Sequence, residues 1–422
     1  MTNPASALTI VPPKAPLRGR LVLPGSKSIT NRMLLIAALA RGTSRLTGAL
    51  KSDDTKHMAA ALRMLGVDVR EPDATSFVVT ASGTLQPSAE PLFLGNAGTA
   101  MRFLTAAAAT IQGTTILDGD AHMRKRPIAP LVEALRRMGV AIDAPSGCPP
   151  VRVDGAGIPG GRVIVDAGLS SQYVSALLIA AACANGPVEV VLAGGDIGAR
   201  GYIDLTLAAM RSFGGQVTPM GQTGWTVAAT GYRAADAMVE PDASAATYLW
   251  AAEVLTGGKI DIGLAPDRFS QPDAKAQALI AAFPNMPDVI DGSQMQDAVP
   301  TLAVLAAFNN RPVRFTGVAN LRVKECDRIR ALSTELNRIR SGLAEEEGDD
   351  LLVHGDPELA GQTLPTAIET YADHRIAMAF SLAGLKINGI RILDPGCVAK
   401  TYPGYWDALG ALGVRLVPEA GA

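Results

Sequence analysis

Lys27, Arg32, Arg102, Arg126, Lys324, Arg328, Arg375 and Lys400 each fall where the sequence turns from a loop into a helical run. A cation in the first helical turn opposes the positive end of the macrodipole and costs a few tenths to about 1 kcal/mol, so stability alone would put carboxylates there. An anion held among such cations removes the penalty, because a helix N-terminus already offers free N–H groups to phosphate and carboxylate. Two acidic residues share this setting: Asp297, and Glu325 beside Lys324 in RVKECDRIR (322–330). In isolation they read as solvated caps or surface pairs. Among bound anions and lysines, a carboxylate can act as acid or base, since competing fields move its pKa as substrates come and go. Taken singly the motifs are weak. Gly25-Ser26-Lys27-Ser28 lacks the spacing of a Walker A loop, and LGNAGTAMR (94–102) also reads as a glycine turn entering a helix. His374 in ADHRIAM reads as a residue that orients Arg375, and His57, His122 and His354 show no metal-ligand spacing.

The elements that must carry these residues recur. Six segments join a small polar start, an Ala/Leu-rich helical run, a Gly or Asn stop and a β-branched strand: residues 28–46, 98–116, 171–191, 244–262, 297–315 and 373–392. Their starts lie 70, 73, 73, 53 and 76 residues apart. Ser, Thr or Asp can cap the first N–H groups, Ala and Leu favour helix, and Gly42, Gly113, Gly186 and Gly257 are expected to end the helices. A second helix follows in most units, ending at Gly before a strand in LRMLGVDV (62–69), LRRMGVAI (135–142) and LGALGVRL (409–416). After Phe283 the chain runs PNMPDVI, so a distorted fourth repeat is expected. Alternation of this kind also occurs in any α/β protein; read as true repeats, the six divide into three plus three, with a crossing near VEPDAS.

Composition bounds the rest. At 422 residues, with about 100–200 per domain, a two-lobed protein is the natural expectation. Hydrophobic residues are 48% and charged residues 18%, which excludes wholesale disorder. The net charge of −2 gives no global basic field for nucleic acid or an anionic membrane. No apolar run approaches the roughly 20 residues of a spanning helix, and the first twenty residues lack the form of a signal peptide. Cys148, Cys183, Cys326 and Cys397 lie 35, 143 and 71 apart, matching neither a zinc spacing nor a disulfide framework, which fits a reducing cytoplasm.

PGSKSITNR (24–32), LGNAGTAMR (94–102), RKRPI (124–128), SSQY (170–173), LRVKECDR (321–328), ADHRIAM (372–378) and AKTYPGYW (399–406) together closely resemble the 5-enolpyruvylshikimate-3-phosphate synthase family, from about residue 9 to 416. The resemblance implies transfer of the enolpyruvyl group of phosphoenolpyruvate to the 5-hydroxyl of shikimate-3-phosphate with release of phosphate, a step of the shikimate pathway, without a cofactor or metal. It implies an α/β fold of two lobes, each of three βαβαββ repeats in an inside-out α/β barrel, closing like a hinge. The lobes would be residues 24–239 and residues 1–23 plus 240–422, with the hinge near 23 and 240. Carried onto this sequence, the match sets Lys27, Ser28, Arg32, Ser170, Ser171, Gln172, Arg200, Asp297, Asn320 and Lys324 around shikimate-3-phosphate. Phosphoenolpyruvate would meet Lys27, Gly98, Arg126, Gln172, Arg328, Arg375 and Lys400. Asp297 matches the residue proposed to take the hydroxyl proton, Glu325 the one proposed to handle the methylene carbon, and Lys27 the bridge between substrates. The two substrates bring about five to six negative charges, which is what the cations would meet. A cytoplasmic monomer sensitive to glyphosate is expected.

Three positions depart from the family: Ala199-Arg200-Gly201 where Ser-Lys-Pro is usual, so that Arg200 is expected to compensate for a missing hydroxyl; His122 for an arginine; and Phe103 for a proline. They bear on local affinity and not on reaction class. The sister enzyme acting on UDP-N-acetylglucosamine carries a reactive cysteine in a mobile loop, and residues 118–128 here have none. A phospho-ligand binding protein on the same scaffold would need the cations but not Asp297 or Glu325.

Overall fold

A computed structural model describes residues 6–194 and 197–419. They form two compact units, Gly25–Pro241 and residues 6–24 with 242–419, each with its own hydrophobic core.

Gly25–Pro241 repeats one pattern three times. A helix pair is followed or interleaved by strands: α1 (Lys27–Leu39) and α2 (Asp53–Met64), α3 (Gly98–Ala108) and α4 (Ala129–Arg137), α5 (Ser171–Ala181) and α6 (Gly201–Ser212). In each repeat the strand after the first helix has a parallel neighbour on one side and an antiparallel one on the other, and the latter pairs antiparallel with an outer strand. Thus Gly113–Asp118 lies between Leu92–Phe93 and Val151–Gly155, with Ala141–Asp143 outside. Val188–Leu192 has the same surroundings in Gly161–Val165, Gly224–Val227 and Val217–Met220. For Ala40–Thr47 the parallel partners, Tyr232–Arg233 and Ala237–Met238, come from the far end of the unit.

The other unit carries α7 (Ala243–Thr256), α8 (Ala276–Ala281), α9 (Val299–Ala306), α10 (Arg328–Ile339), α11 (His374–Gly384) and α12 (Tyr405–Ala411). Val313–Thr316 and Asn388–Leu393 sit in sheets of the same pattern, the second completed by Ala7–Val11 and Arg415–Glu419. The fourth repeat is the distorted one. Among the described residues its strand Lys259–Asp261 pairs only with Arg18–Arg20, and 3-10 turns at Pro266–Arg268 and Pro272–Lys275 lead into a helix of six residues. Pro266 and Pro272 each open one of these 3-10 turns, where their missing N–H has no intrahelical partner to lose.

The first helix of each repeat is the inner one. Every residue of α3, α9 and α11 is buried, as their Ala/Leu-rich composition requires, because a helix apolar all round must be enclosed. The second helices bury one face, as in α10.

Of the glycines expected to end the first helices only Gly257 does so, adopting φ +64° and donating its N–H to the Glu253 carbonyl, whereas Gly66, Gly139 and Gly413 end second helices at positive φ as expected. Helix α1 passes at Ala40 directly into a strand that contains Gly42, Gly113 opens a strand, and α5 ends at Ala181, before Gly186. The turns after α3 and α5 close through backbone bonds such as Thr110 N–H to the Ala107 carbonyl and Ala184 N–H to the Ala181 carbonyl, so no left-handed residue is needed.

Candidate active site

In Gly25–Pro241, the start of α1 is set by Ser26, whose hydroxyl accepts from the Ile29 N–H at 3.4 Å. Gly25 permits the approach: a Cβ there would stand 2.0 Å from the Gly48 carbonyl oxygen. Lys27 is therefore the first helical residue, buried, with its Nζ 3.5 Å from the Asp54 carboxylate on α2. One turn on, Arg32 is 2% exposed. Its Nε donates to Thr206 Oγ1 at 2.7 Å, Nη1 to the Ser28 carbonyl at 2.8 Å, and Nη2 to the Tyr202 carbonyl at 3.0 Å and Ser175 Oγ at 3.4 Å. Burial pulls its guanidinium down to about 10, only partly opposed by Tyr202.

Ser170 caps α5 by accepting from the Gln172 N–H at 3.2 Å, which sets Ser171 and Gln172 in the first turn. Gln172 Nε2 donates to Thr99 Oγ1 on α3 at 3.3 Å. The start of α3 is enclosed by two guanidiniums. Arg102 reaches back to the Gly98 carbonyl at 3.1 Å and on to the Pro127 carbonyl at 2.9 Å. Arg126 donates to Asn96 Oδ1 at 2.9 Å and to its carbonyl at 3.2 Å. A Cβ on Gly98 would lie 2.6 Å from Arg102 Nη1 and 2.7 Å from Arg126 Nη2. Arg200 precedes α6 with its guanidinium 5.8 Å from the Trp225 ring centroid. Its neighbour Ala199 holds φ +60°, a conformation costing a residue with a Cβ about 1 kcal/mol.

In the second unit the acids and bases interlock. Asp297, just ahead of α9, accepts from Arg375 Nη2 at 2.8 Å and Arg328 Nη1 at 3.2 Å. Glu325 accepts from Arg328 Nη2 at 2.7 Å and pairs with Lys400 Nζ at 2.9 Å. Asp373 takes Arg328 Nε at 2.8 Å and Nη2 at 3.2 Å, and caps α11 by accepting from the Arg375 N–H at 2.9 Å. Arg328 is 1% exposed; burial alone would lower its pKa, and the Asp373, Glu325 and Asp297 carboxylates outweigh that and raise it. Beneath lies the Tyr248 hydroxyl, pushed up to about 12 by burial despite the opposing fields of Arg375 and Arg328.

Asp297, Glu325, Arg328, Arg375 and Lys400 thus form one network. Asn320 is buried on the 3-10 turn Ala319–Val323, and Lys324 follows that turn. Within Gly25–Pro241, Gly98, Arg126 and Gln172 converge on the start of α3. Lys27 pairs with α2, and Ser28 gives its carbonyl to Arg32. Two expectations change. Only Lys27, Arg328 and Arg375 occupy first helical turns; Arg32 and Arg102 sit one turn in, and Arg126, Lys324 and Lys400 end or follow 3-10 turns. Arg328, Arg375 and Lys400 are balanced by the protein's own carboxylates. Asp373 was missed as a charge partner: its place before a helical run signals a cap, but its pairing with Arg328 spans 45 residues.

The model of the EPSP synthase (3-phosphoshikimate 1-carboxyvinyltransferase) family matches residues 11–409. The chain is 67% identical over 415 residues to the 3-phosphoshikimate 1-carboxyvinyltransferases of Pseudomonas savastanoi pv. phaseolicola and Rhizobium etli, covering 98% of this chain and 99% of each relative. It is 39% identical to that of Vibrio cholerae, covering 94% and 97%. Among solved structures, EPSP synthase from Acinetobacter baumannii aligns with a TM-score of 0.77 at 25% identity, over 97% of this chain and 99% of that one. The enolpyruvyl transferase NikO from Streptomyces tendae aligns at 0.75 and 17% identity over 99% and 100%, a likeness of fold.

Proposed function

The chain belongs to the EPSP synthase (3-phosphoshikimate 1-carboxyvinyltransferase) family, and on that premise we propose that it transfers the enolpyruvyl group of phosphoenolpyruvate to the 5-hydroxyl of shikimate-3-phosphate, releasing phosphate. The observation that carries this reading is the family match across residues 11–409, together with relatives matched along nearly their whole length.

We assign Lys27, Ser28, Arg32, Ser170, Ser171, Gln172 and Arg200, with Asp297, Asn320 and Lys324, to shikimate-3-phosphate. We assign Lys27, Gly98, Arg126 and Gln172, with Arg328, Arg375 and Lys400, to phosphoenolpyruvate. The convergence of Arg126, Gly98 and Gln172 at the start of α3 supports the second set: a bare N–H terminus flanked by guanidiniums suits a dianionic phosphate. Asp297 is assigned as the base that takes the 5-hydroxyl proton, and Glu325 as the group that handles the proton at the methylene carbon. An incoming anion that draws Arg375 or Arg328 towards itself weakens their hold on Asp297, which frees a carboxylate oxygen to accept a proton. Ion pairing alone gives both carboxylates a structural role, so their presence does not separate an enzyme from a binding protein; turnover does.

We place the reaction in the cytoplasm and the chain in solution as a monomer. The free state of all four cysteines supports a reducing compartment, and no helix of the described residues is long and apolar enough to cross a membrane. The deciding experiment is phosphate release from phosphoenolpyruvate with and without shikimate-3-phosphate, with UDP-N-acetylglucosamine as control. Release that requires shikimate-3-phosphate is expected; release only with the nucleotide sugar would assign the sister activity, and none with either would leave a binding protein.

A further inference from the structure

Phe103 on α3 is fully buried, and the Arg32 guanidinium carbon stands 5.2 Å from its ring centroid. This is within the reach at which the negative face of a ring attracts a cation. The contact matters because of what else surrounds Arg32. Among the described residues its hydrogen-bond partners are all neutral: two hydroxyls, from Thr206 and Ser175, and two carbonyls, from Ser28 and Tyr202. The hydroxyls are themselves tied together, Thr206 to Ser175 at 2.8 Å, and both are buried. A buried cation without a carboxylate is costly, and the contrast inside this molecule is direct, since Arg328 meets three carboxylates. The Tyr202 ring lies farther from Arg32, at 6.0 Å.

We propose that Phe103 is a positioning residue for shikimate-3-phosphate: its ring face holds the Arg32 guanidinium charged and oriented by an attraction that leaves the cation's charge unneutralised for the anionic substrate. A carboxylate in the same place would neutralise Arg32 and compete with the ligand. A ring stabilises the cation without taking its place as a hydrogen-bond acceptor, and its rigid placement on α3 fixes the plane of the guanidinium. This inference rests on the assignment of Arg32 to shikimate-3-phosphate. It gives Phe103 a task in the binding of that substrate and none in the chemistry of phosphoenolpyruvate.

The test replaces Phe103 by a series of mono-, di- and trifluorophenylalanine, which keeps the shape of the ring while draining negative charge from its face, with Phe103→Leu as the variant without a ring. The expected result is a stepwise rise in KM for shikimate-3-phosphate along the series, reaching about threefold to thirtyfold in Phe103→Leu. KM for phosphoenolpyruvate and kcat should stay within about twofold, and the fluorinated enzymes should remain folded at the assay temperature, with any fall in melting temperature following the same order as the series. A KM for shikimate-3-phosphate indifferent to fluorination would overturn the proposal even if Phe103→Leu binds poorly, because packing alone would then explain that variant. Equal rises for both substrates would overturn it too. A wild type that turns over no shikimate-3-phosphate would remove the functional reading, and this inference with it, whereas a normal wild type with a flat series removes the inference alone.

Discussion

Lys400 stands 2.9 Å from Glu325, and both side chains are buried. The other oxygen of the same carboxylate accepts from Arg328, so Glu325 is held by two donors that have no acceptor capacity of their own. An amide in its place must turn its NH2 towards one of them. Glu325→Gln is therefore expected to lower turnover by about tenfold to a thousandfold, the scale of lost general acid–base help, and to lose roughly 1–3 kcal/mol of stability from the mismatched donor. Asp297→Asn should behave likewise, since its two oxygens meet Arg375 and Arg328. From the sequence, where both read as isolated carboxylates, little loss of stability is expected; the network changes that. Steady-state kinetics and urea unfolding of both amides check it, and wild-type turnover in either would remove that residue from the catalytic assignment.

Gly98→Ala should fold, because the three atoms nearest its new methyl all belong to the far ends of the flexible Arg102 and Arg126 side chains. Those ends must move. Since Arg126 is assigned to phosphoenolpyruvate, KM for that substrate is expected to rise about tenfold while KM for shikimate-3-phosphate holds. Glyphosate, which the family resemblance sets in the phosphoenolpyruvate position and which is longer, should lose more affinity than the substrate does. Inhibition measured at several phosphoenolpyruvate concentrations, for wild type and variant, separates the two effects, and an unchanged KM would mean that Arg126 does not bind this substrate.

The repeat was legible because its signal is local. Small polar residues before Ala/Leu-rich runs announce helix starts, although the caps are Ser26 and Ser170, one or two residues ahead of the expected starts at 28 and 171. Gly42 misled because a glycine at φ +118° inside a strand serves that strand and not the helix before it. The membership of the acidic network was out of reach for a different reason. Asp373 pairs with Arg328 across 45 residues and Asp297 with Arg375 across 78, and nothing in the spacing of charges encodes such partners. The Phe103–Arg32 contact, between two helices 71 positions apart in sequence, was equally hidden; Phe103 stood out only as a departure from the family pattern.

The segment that delivers Arg126 is pinned by Asp118, whose carboxylate accepts from the Arg124 guanidinium and from the Gly119 N–H. The Arg124 bond is the largest influence on Asp118 and, against some burial, it holds the carboxyl below the usual aspartate range. A carboxyl with a depressed folded pKa stabilises the fold fully above its unfolded value, about 4, and that contribution is lost as the pH falls through the folded value. Asp118→Asn should therefore melt below the wild type at neutral pH, with the gap closing below about pH 4. A gap that persists into stronger acid would mean that the side chain acts by shape and not by charge.

All four thiols are raised by burial, Cys183 to about 11, Cys326 and Cys397 beyond it, and Cys148 in spite of the Arg102 charge beside it. The thiolate is the reactive form, and an unperturbed thiol near pKa 8.5 is substantially ionised at about pH 8, so burial should suppress labelling most at Cys183, Cys326 and Cys397 and least at the more accessible Cys148. Cys326 is further disfavoured as a thiolate by the Asp373 carboxylate, and Cys397 by Asp394 and then Asp373. The sister enzyme depends on a reactive loop cysteine, and in this chain residues 118–128 supply none. Native protein treated with a disulfide reagent at about pH 8 is expected to label slowly and to keep its turnover after exposure to iodoacetamide, while the unfolded chain should label at all four cysteines quickly. Rapid loss of activity on alkylation, prevented by phosphoenolpyruvate, would place a functional thiol in the site and count against the assignment of proton transfer to Asp297 and Glu325.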